Sequence, residues 1–96
     1  MKVFFSEFVE DDLAQAYEWY ELKSAGLGEE FLLAFNKALA LITEHPKIFA
    51  VKYLGFRICL LNRFPFGIHF KEDDGSIYII GVYHTSRSPA EWIGRL

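Results

Sequence analysis

The stretch from residue 83 to residue 95 gathers the most chemically capable side chains of the sequence: Tyr83, His84, Arg87, Trp92 and Arg95. Arginine makes charge-assisted, often bidentate hydrogen bonds to phosphate or carboxylate, and tryptophan offers a flat face on which another ring can stack. This is the composition of a surface that grips a charged macromolecule. The same residues also suit architecture. His84 and Arg87 can satisfy carbonyls around a tight turn, and Trp92 can pin a terminal helix to a sheet.

Other chemistries find less support. Metal binding needs His, Cys or carboxylate groups at fixed spacing. His45, His69 and His84 are scattered singly, and the acidic cluster Glu7, Glu10, Asp11 and Asp12 lies where a helix begins, so no metal is expected. Gly26 and Gly28 precede a helix without the rest of a phosphate-binding signature and read as helix punctuation, so no nucleotide cofactor is expected either. Cys59 sits in an apolar run, and Ser86 and Ser88 read as turn and cap residues rather than activated nucleophiles.

The elements that must position the 83–95 cluster follow from periodicity. Lys2 to Phe5 suits a strand, and Ser6 is placed to cap a helix starting at Glu7, with Val9, Leu13, Ala16, Tyr17 and Tyr20 at helical spacing. Acidic residues in its first turns meet the positive end of the helix dipole. After Gly26-Leu27-Gly28, a second stripe runs through Phe31, Leu32, Phe35, Ala38, Leu39 and Ile42 and stops at His45-Pro46. A connection this short makes the two helices an antiparallel hairpin.

Phe49 to Tyr53, Arg57 to Leu61, Phe66 to Lys71 and Ser76 to Tyr83 read as four strands of a meander. In the third of them Phe66, Ile68 and Phe70 share a face against which the helices should pack, with Gly67, His69 and Lys71 on the other. Ser88-Pro89-Ala90-Glu91 has the form of a capping box opening a short helix over about 90–95.

Ninety-six residues with 52% hydrophobic content, including ten Phe, five Tyr and two Trp, are consistent with one domain over 1–96 built around a ring-rich core. A single thiol excludes a disulfide framework and fits a reducing compartment, and no stretch approaches a membrane span, so a cytoplasmic protein with no membrane contact is expected. The net charge of -3 is unevenly spread. Residues 1–46 carry three basic and nine acidic side chains, and residues 47–96 seven basic and four acidic, so one face should be acidic and another basic.

Five segments taken together resemble the RelE/ParE family of type II toxin-antitoxin toxins, the ParE (plasmid stabilisation) branch in particular. They are Asp11-Asp12-Leu13 with Trp19-Tyr20, Gly26-Leu27-Gly28-x-x-Phe31-Leu32, His45-Pro46, Arg63-Phe64-Pro65-Phe66-x-Ile68-x-Phe70, and His84-x-x-Arg87-x-Pro89-x-x-Trp92-x-x-Arg95. The resemblance implies an α+β, two-layer fold: a helical hairpin on a mainly antiparallel five-stranded sheet in β-α-α-β-β-β-β order, the first strand beside the last, with a short C-terminal helix. It also implies a growth-inhibiting protein neutralised by a cognate antitoxin, with the apolar helices and a sheet edge receiving the antitoxin.

Two activities occur in such a family. RelE-like members cut messenger RNA on the ribosome, and here Arg63, His84 and Arg87 would be the catalytic candidates. Gly67 and Trp92 stand where those nucleases carry an arginine and a C-terminal tyrosine, and a net acidic chain is poorly steered to RNA. ParE-like members poison DNA gyrase by protein contact and need no catalytic group. That reading makes Arg87, Trp92 and Arg95 target contacts, with His84 and Pro89 shaping the turn that presents them; a non-toxic binding module of the same fold is the remaining alternative.

Overall fold

The computed structural model describes residues 2–96. Its elements run β1 (Lys2–Phe5), α1 (Val9–Lys23), α2 (Leu27–Glu44), a 3-10 turn (Pro46–Ile48), β2 (Val51–Tyr53), β3 (Phe56–Leu60), β4 (Phe66–Asp73), β5 (Ser76–His84) and α3 (Pro89–Ile93). The five strands form one sheet in the order β1-β5-β4-β3-β2. β1 pairs parallel to β5 and every other pair is antiparallel, so the first strand lies beside the last as expected.

The helical hairpin covers one face of the sheet. Phe31, Phe35, Ala38 and Ile42 of α2 and Val9 and Ala16 of α1 meet Ile68, Phe70, Ile77, Ile79 and Val82 in a continuous core. Phe31 makes edge contacts with Phe64 and Phe66 at 5.4 and 5.1 Å and stacks on Tyr20, so a few rings fill much of the space between the layers. The helices approach closely because residue 28 is glycine: a Cβ there would lie 2.8 Å from the Tyr17 ring and 2.9 Å from the Tyr17 carbonyl. Glu21 holds the same corner, accepting from the amides of Gly26 and Gly28 at 2.9 and 3.0 Å and so satisfying donors that the start of α2 leaves free.

Several boundaries differ from the sequence expectation. α1 begins at Val9 rather than Glu7 because the Ser6 hydroxyl donates to the Ile80 carbonyl at 2.6 Å and accepts from Phe8 N at 3.2 Å, which ties it to the sheet and a turn. β2 starts at Val51, not Phe49. The Phe49 ring turns onto Phe70 at 5.6 Å and its carbonyl receives the Arg57 guanidinium, so residue 49 leaves the strand direction. No capping box forms at α3: Glu91 N bonds the Ser88 carbonyl at 3.0 Å, while the Glu91 carboxylate faces Arg87 Nε at 3.7 Å. The β4–β5 register shifts between His69 and Phe70, where β5 carries one extra residue. This bulge restarts the alternation, leaving Gly81 and Tyr83 on the face away from the helices and Val82 in the core.

Candidate functional site

The sheet face opposite the hairpin is overlaid by α3, a five-residue helix with no buried residue of its own. Beneath it, β2, β4 and β5 bring Tyr53, His69 and Tyr83 together, and Trp92 from α3 closes over them. Ring centroids are 4.7 Å apart for His69 and Trp92, 4.5 Å for His69 and Tyr83, and 5.5 Å for Tyr53 and Trp92. His69 Nδ1 shares a 2.8 Å hydrogen bond with the Tyr53 hydroxyl. A cleft of about 120 Å³ opens beside these rings, lined by Ile58, Leu60, Gly67, His69, Tyr83 and Trp92 among others.

One ion pair fastens α3 to the rest. Arg95 donates from Nη1 and Nη2 to the two carboxylate oxygens of Asp12, each at 2.7 Å, and Asp12 Oδ2 also accepts from Val82 N at 2.9 Å. The Asp12 side chain is 4% exposed and that of Arg95 18%. The guanidinium lies over the rings of Phe8 and Tyr83 at 4.5 and 4.6 Å, and the hydrogen bond to Asp12 raises its pKa further. Residue 81 must be glycine-sized, since a Cβ there would meet Tyr83 Cζ at 2.7 Å and Arg95 Nη1 at 2.8 Å.

Burial sets the protonation of this face. Removal from water, aided by the nearby Arg95 charge and opposed by Asp12, lowers His69 to about 4, so it is neutral near pH 7. Burial first, and the Tyr83 ring second, push Tyr53 up to about 12. Tyr83 is raised as well, chiefly by burial and against the pull of Arg95. Two buried polar atoms find no aligned partner among the described residues, Tyr83 Oη and Trp92 Nε1.

The residues singled out from sequence do not all converge. Arg95, Trp92 and Tyr83 meet as described, and Arg87 joins them, its guanidinium 5.9 Å from the Tyr83 ring centre. His84 sits at their margin: it pairs across with Phe66 and sets its ring edge-on to Phe66 at 5.1 Å, yet it also lines the cleft with His69, Tyr83 and Trp92. Its Nδ1 accepts from Ser86 N at 3.0 Å and its carbonyl from Arg87 N, which holds the turn leading to Pro89 at the first position of α3. Arg63 pairs instead with Glu30 on α2 at 3.2 Å and lines a groove of about 320 Å³ between α2 and the β3–β4 connection.

Asp12, Tyr53 and His69 were not singled out by sequence reasoning, though Asp12 left a signal. It lies three residues after Val9 and four before Ala16, inside the apolar stripe of α1, and a carboxylate at such a position requires a buried cation.

Among the described residues no group of three or more His, Cys, Asp or Glu is placed to hold a metal ion, and no helix is long and apolar enough to cross a membrane. Residues 3–89 match the family described as ParE toxin of type II toxin-antitoxin system, parDE. The matched span stops short of Trp92 and Arg95. No curated protein matches the chain. Among solved structures, a chain of the chromosomal ParDE TA system from P. aeruginosa shares the fold with a TM-score of 0.76 at 17% identity, over 88% of this chain and 95% of that one.

Proposed function

The chain belongs to the ParE toxin family of type II toxin-antitoxin systems, and from that premise we propose that it stops growth by gripping a macromolecular target, DNA gyrase, in the cytoplasm. Arg87, Trp92 and Arg95 of the C-terminal segment make the target contact, His84 and Pro89 shape the turn that presents them, and a cognate antitoxin neutralises the protein. The supporting observation is the state of the open sheet face. Its central histidine, His69, is held neutral by burial, and the Arg95 cation beside it is already paired with a carboxylate, an arrangement suited to binding and not to moving protons.

The nuclease alternative asks Arg63, His84 and Arg87 to act together, and these three point to Glu30, Phe66 and Tyr83 respectively. A side chain at Gly67, where RelE-like proteins carry arginine, would start 2.9 Å from Ile58 Cγ2. The contact reading is therefore preferred.

Antitoxin seats are proposed on the helical layer and the sheet edges. The groove along α2 is flanked by exposed Leu33, Leu41 and Leu60 with Glu30, Lys37 and Arg63 at its rim, the pattern that receives an amphipathic helix. β1 and β2 are the edge strands, and β1 exposes Phe4 and Phe5.

Tightly controlled expression of the chain in bacteria tests the reading, with growth, messenger RNA ends and gyrase-dependent DNA breaks followed together. Arrest with DNA breaks and intact transcripts is the expected result. Transcript cleavage would transfer the activity to the nuclease alternative, and unimpaired growth would leave a binding module.

A further inference from the structure

In the docked helix the two residues best suited to contact a target are the two least free to do so. Arg95 has both terminal nitrogens on Asp12, and Trp92 lies against Tyr53, His69 and Tyr83 with its indole N–H buried. The attachment is also narrow. α3 is five residues long, none of them buried, and exposed Thr85, Ser86 and Ser88 lead into it.

Docking is imperfect as well. The Tyr83 hydroxyl is near enough to the Arg95 guanidinium for each to influence the other's pKa, but it is not aligned for a hydrogen bond, and Trp92 Nε1 has no acceptor among the described residues. A buried donor left unpaired opposes the state that buries it, so release of α3 would let both groups find partners. Against release stand the bidentate pair and the stacked rings.

We infer that Asp12 is an internal stand-in for a carboxylate on the target: α3 leaves the sheet on engagement, and Arg95 passes from Asp12 to an acidic group of a protein surface that also offers an acceptor to the Trp92 N–H. This rests on the contact reading above and specifies its partner as an acidic protein surface. An aspartate is the right competitor, because an equivalent carboxylate on the target exchanges one bidentate pair for another and leaves no buried charge unpaired. Asp12 therefore restrains the toxin while it stabilises the fold.

The consequence is a difference in sign. If Asp12 and Arg95 were only a structural pair, removing either would weaken the protein in the same direction. Under the inference, Asp12→Asn frees the arginine and lowers the inducer level needed for growth arrest several-fold, whereas Arg95→Gln raises it, although both lower the melting temperature. Should Asp12→Asn fold poorly, Tyr83→Phe gives an independent test. It removes a buried hydroxyl beneath α3 whose contact with Arg95 is poorly aligned, so it should melt no lower than the wild type and still require more inducer to arrest growth.

Docking itself is read from Trp92 in a chain carrying Trp19→Phe, which leaves one tryptophan. Acrylamide should quench Trp92 more strongly after Asp12→Asn and less strongly after Tyr83→Phe. Potency that follows melting temperature in both variants would overturn the inference while leaving the contact reading in place. A wild-type chain that arrests nothing would remove both.

Discussion

Asp12 on the first helix and Arg95 beyond the last one share two hydrogen bonds of 2.7 Å across 83 residues of sequence. The pair is buried at the Asp12 end, so removing one partner leaves a charge without its counterion. Asp12→Ala and Arg95→Ala are each expected to cost about 3–5 kcal/mol. In a domain this small that lowers the melting temperature by at least about 12 °C. The double replacement Asp12→Leu with Arg95→Met should be milder than either single change, because no charge remains to be buried alone. Single changes costing under about 1 kcal/mol would mean that the pair behaves like an exposed one.

His69 makes stability depend on pH. Its folded pKa of about 4 lies below the ordinary value of 6.5, so the unfolded chain binds the proton more readily. Between those values the unfolded state carries more protons, and stability falls as pH falls. The contribution is complete above pH 6.5 and is lost on acidification toward pH 4, by on the order of 3 kcal/mol. Urea denaturation from pH 7 to 4 should show this slope, and His69→Gln should flatten it. An unchanged slope in the variant would assign the effect to carboxylates elsewhere.

The order of elements was legible in the sequence because the apolar stripes of both helices and the alternation in β4 are local patterns, and the placement of β1 beside β5 followed from the family resemblance, though not its parallel direction. The clasp was not. Arg95 could be seen as a cation and Asp12 as a helix-start carboxylate, but their meeting depends on α1 and α3 approaching the sheet from opposite ends of the chain. Likewise Tyr83 and His84 looked like one cluster, and strand alternation buries Tyr83 beneath α3 while leaving His84 at the edge of the cleft against Phe66. The extra residue of β5, Ile80, fixes which residue goes where, and its one local sign is Gly81 beside it, since an isolated glycine within a strand often marks a bulge.

Two glycines at the hairpin should respond differently to alanine. At Gly28 the new Cβ would press on the Tyr17 ring and on its carbonyl oxygen, and backbone cannot move aside as a flexible side chain can. A loss of about 1–3 kcal/mol is expected from this overpacking. Gly26 has φ of 87° with nothing within 4 Å of its Cβ position, so Gly26→Ala carries only backbone strain, about 1–2 kcal/mol. Adding Tyr17→Ala should relieve only the part of the Gly28→Ala cost that comes from the ring, because the carbonyl contact stays, and leave the Gly26→Ala cost unchanged, as chemical denaturation of each glycine variant with and without Tyr17→Ala can show.

Gly81 tests the clasp from a position that lies under it. Replacing glycine by alanine within a strand ordinarily stabilises by roughly 0.5–1 kcal/mol, through the entropy of the unfolded chain. At residue 81 the sign should reverse, because the added carbon would lie 2.7 Å from Tyr83 Cζ and 2.8 Å from both Tyr83 Oη and Arg95 Nη1. Arg95 can yield only by loosening its grip on Asp12. Gly81→Ala is therefore expected to destabilise by about 1–3 kcal/mol. Its cost should shrink in an Arg95→Ala background, with a coupling of at least about 0.5 kcal/mol in a double-mutant cycle. Additive costs would place the strain on the Tyr83 ring alone, and a stabilising Gly81→Ala would show that the ring and guanidinium do not pack over this strand in solution.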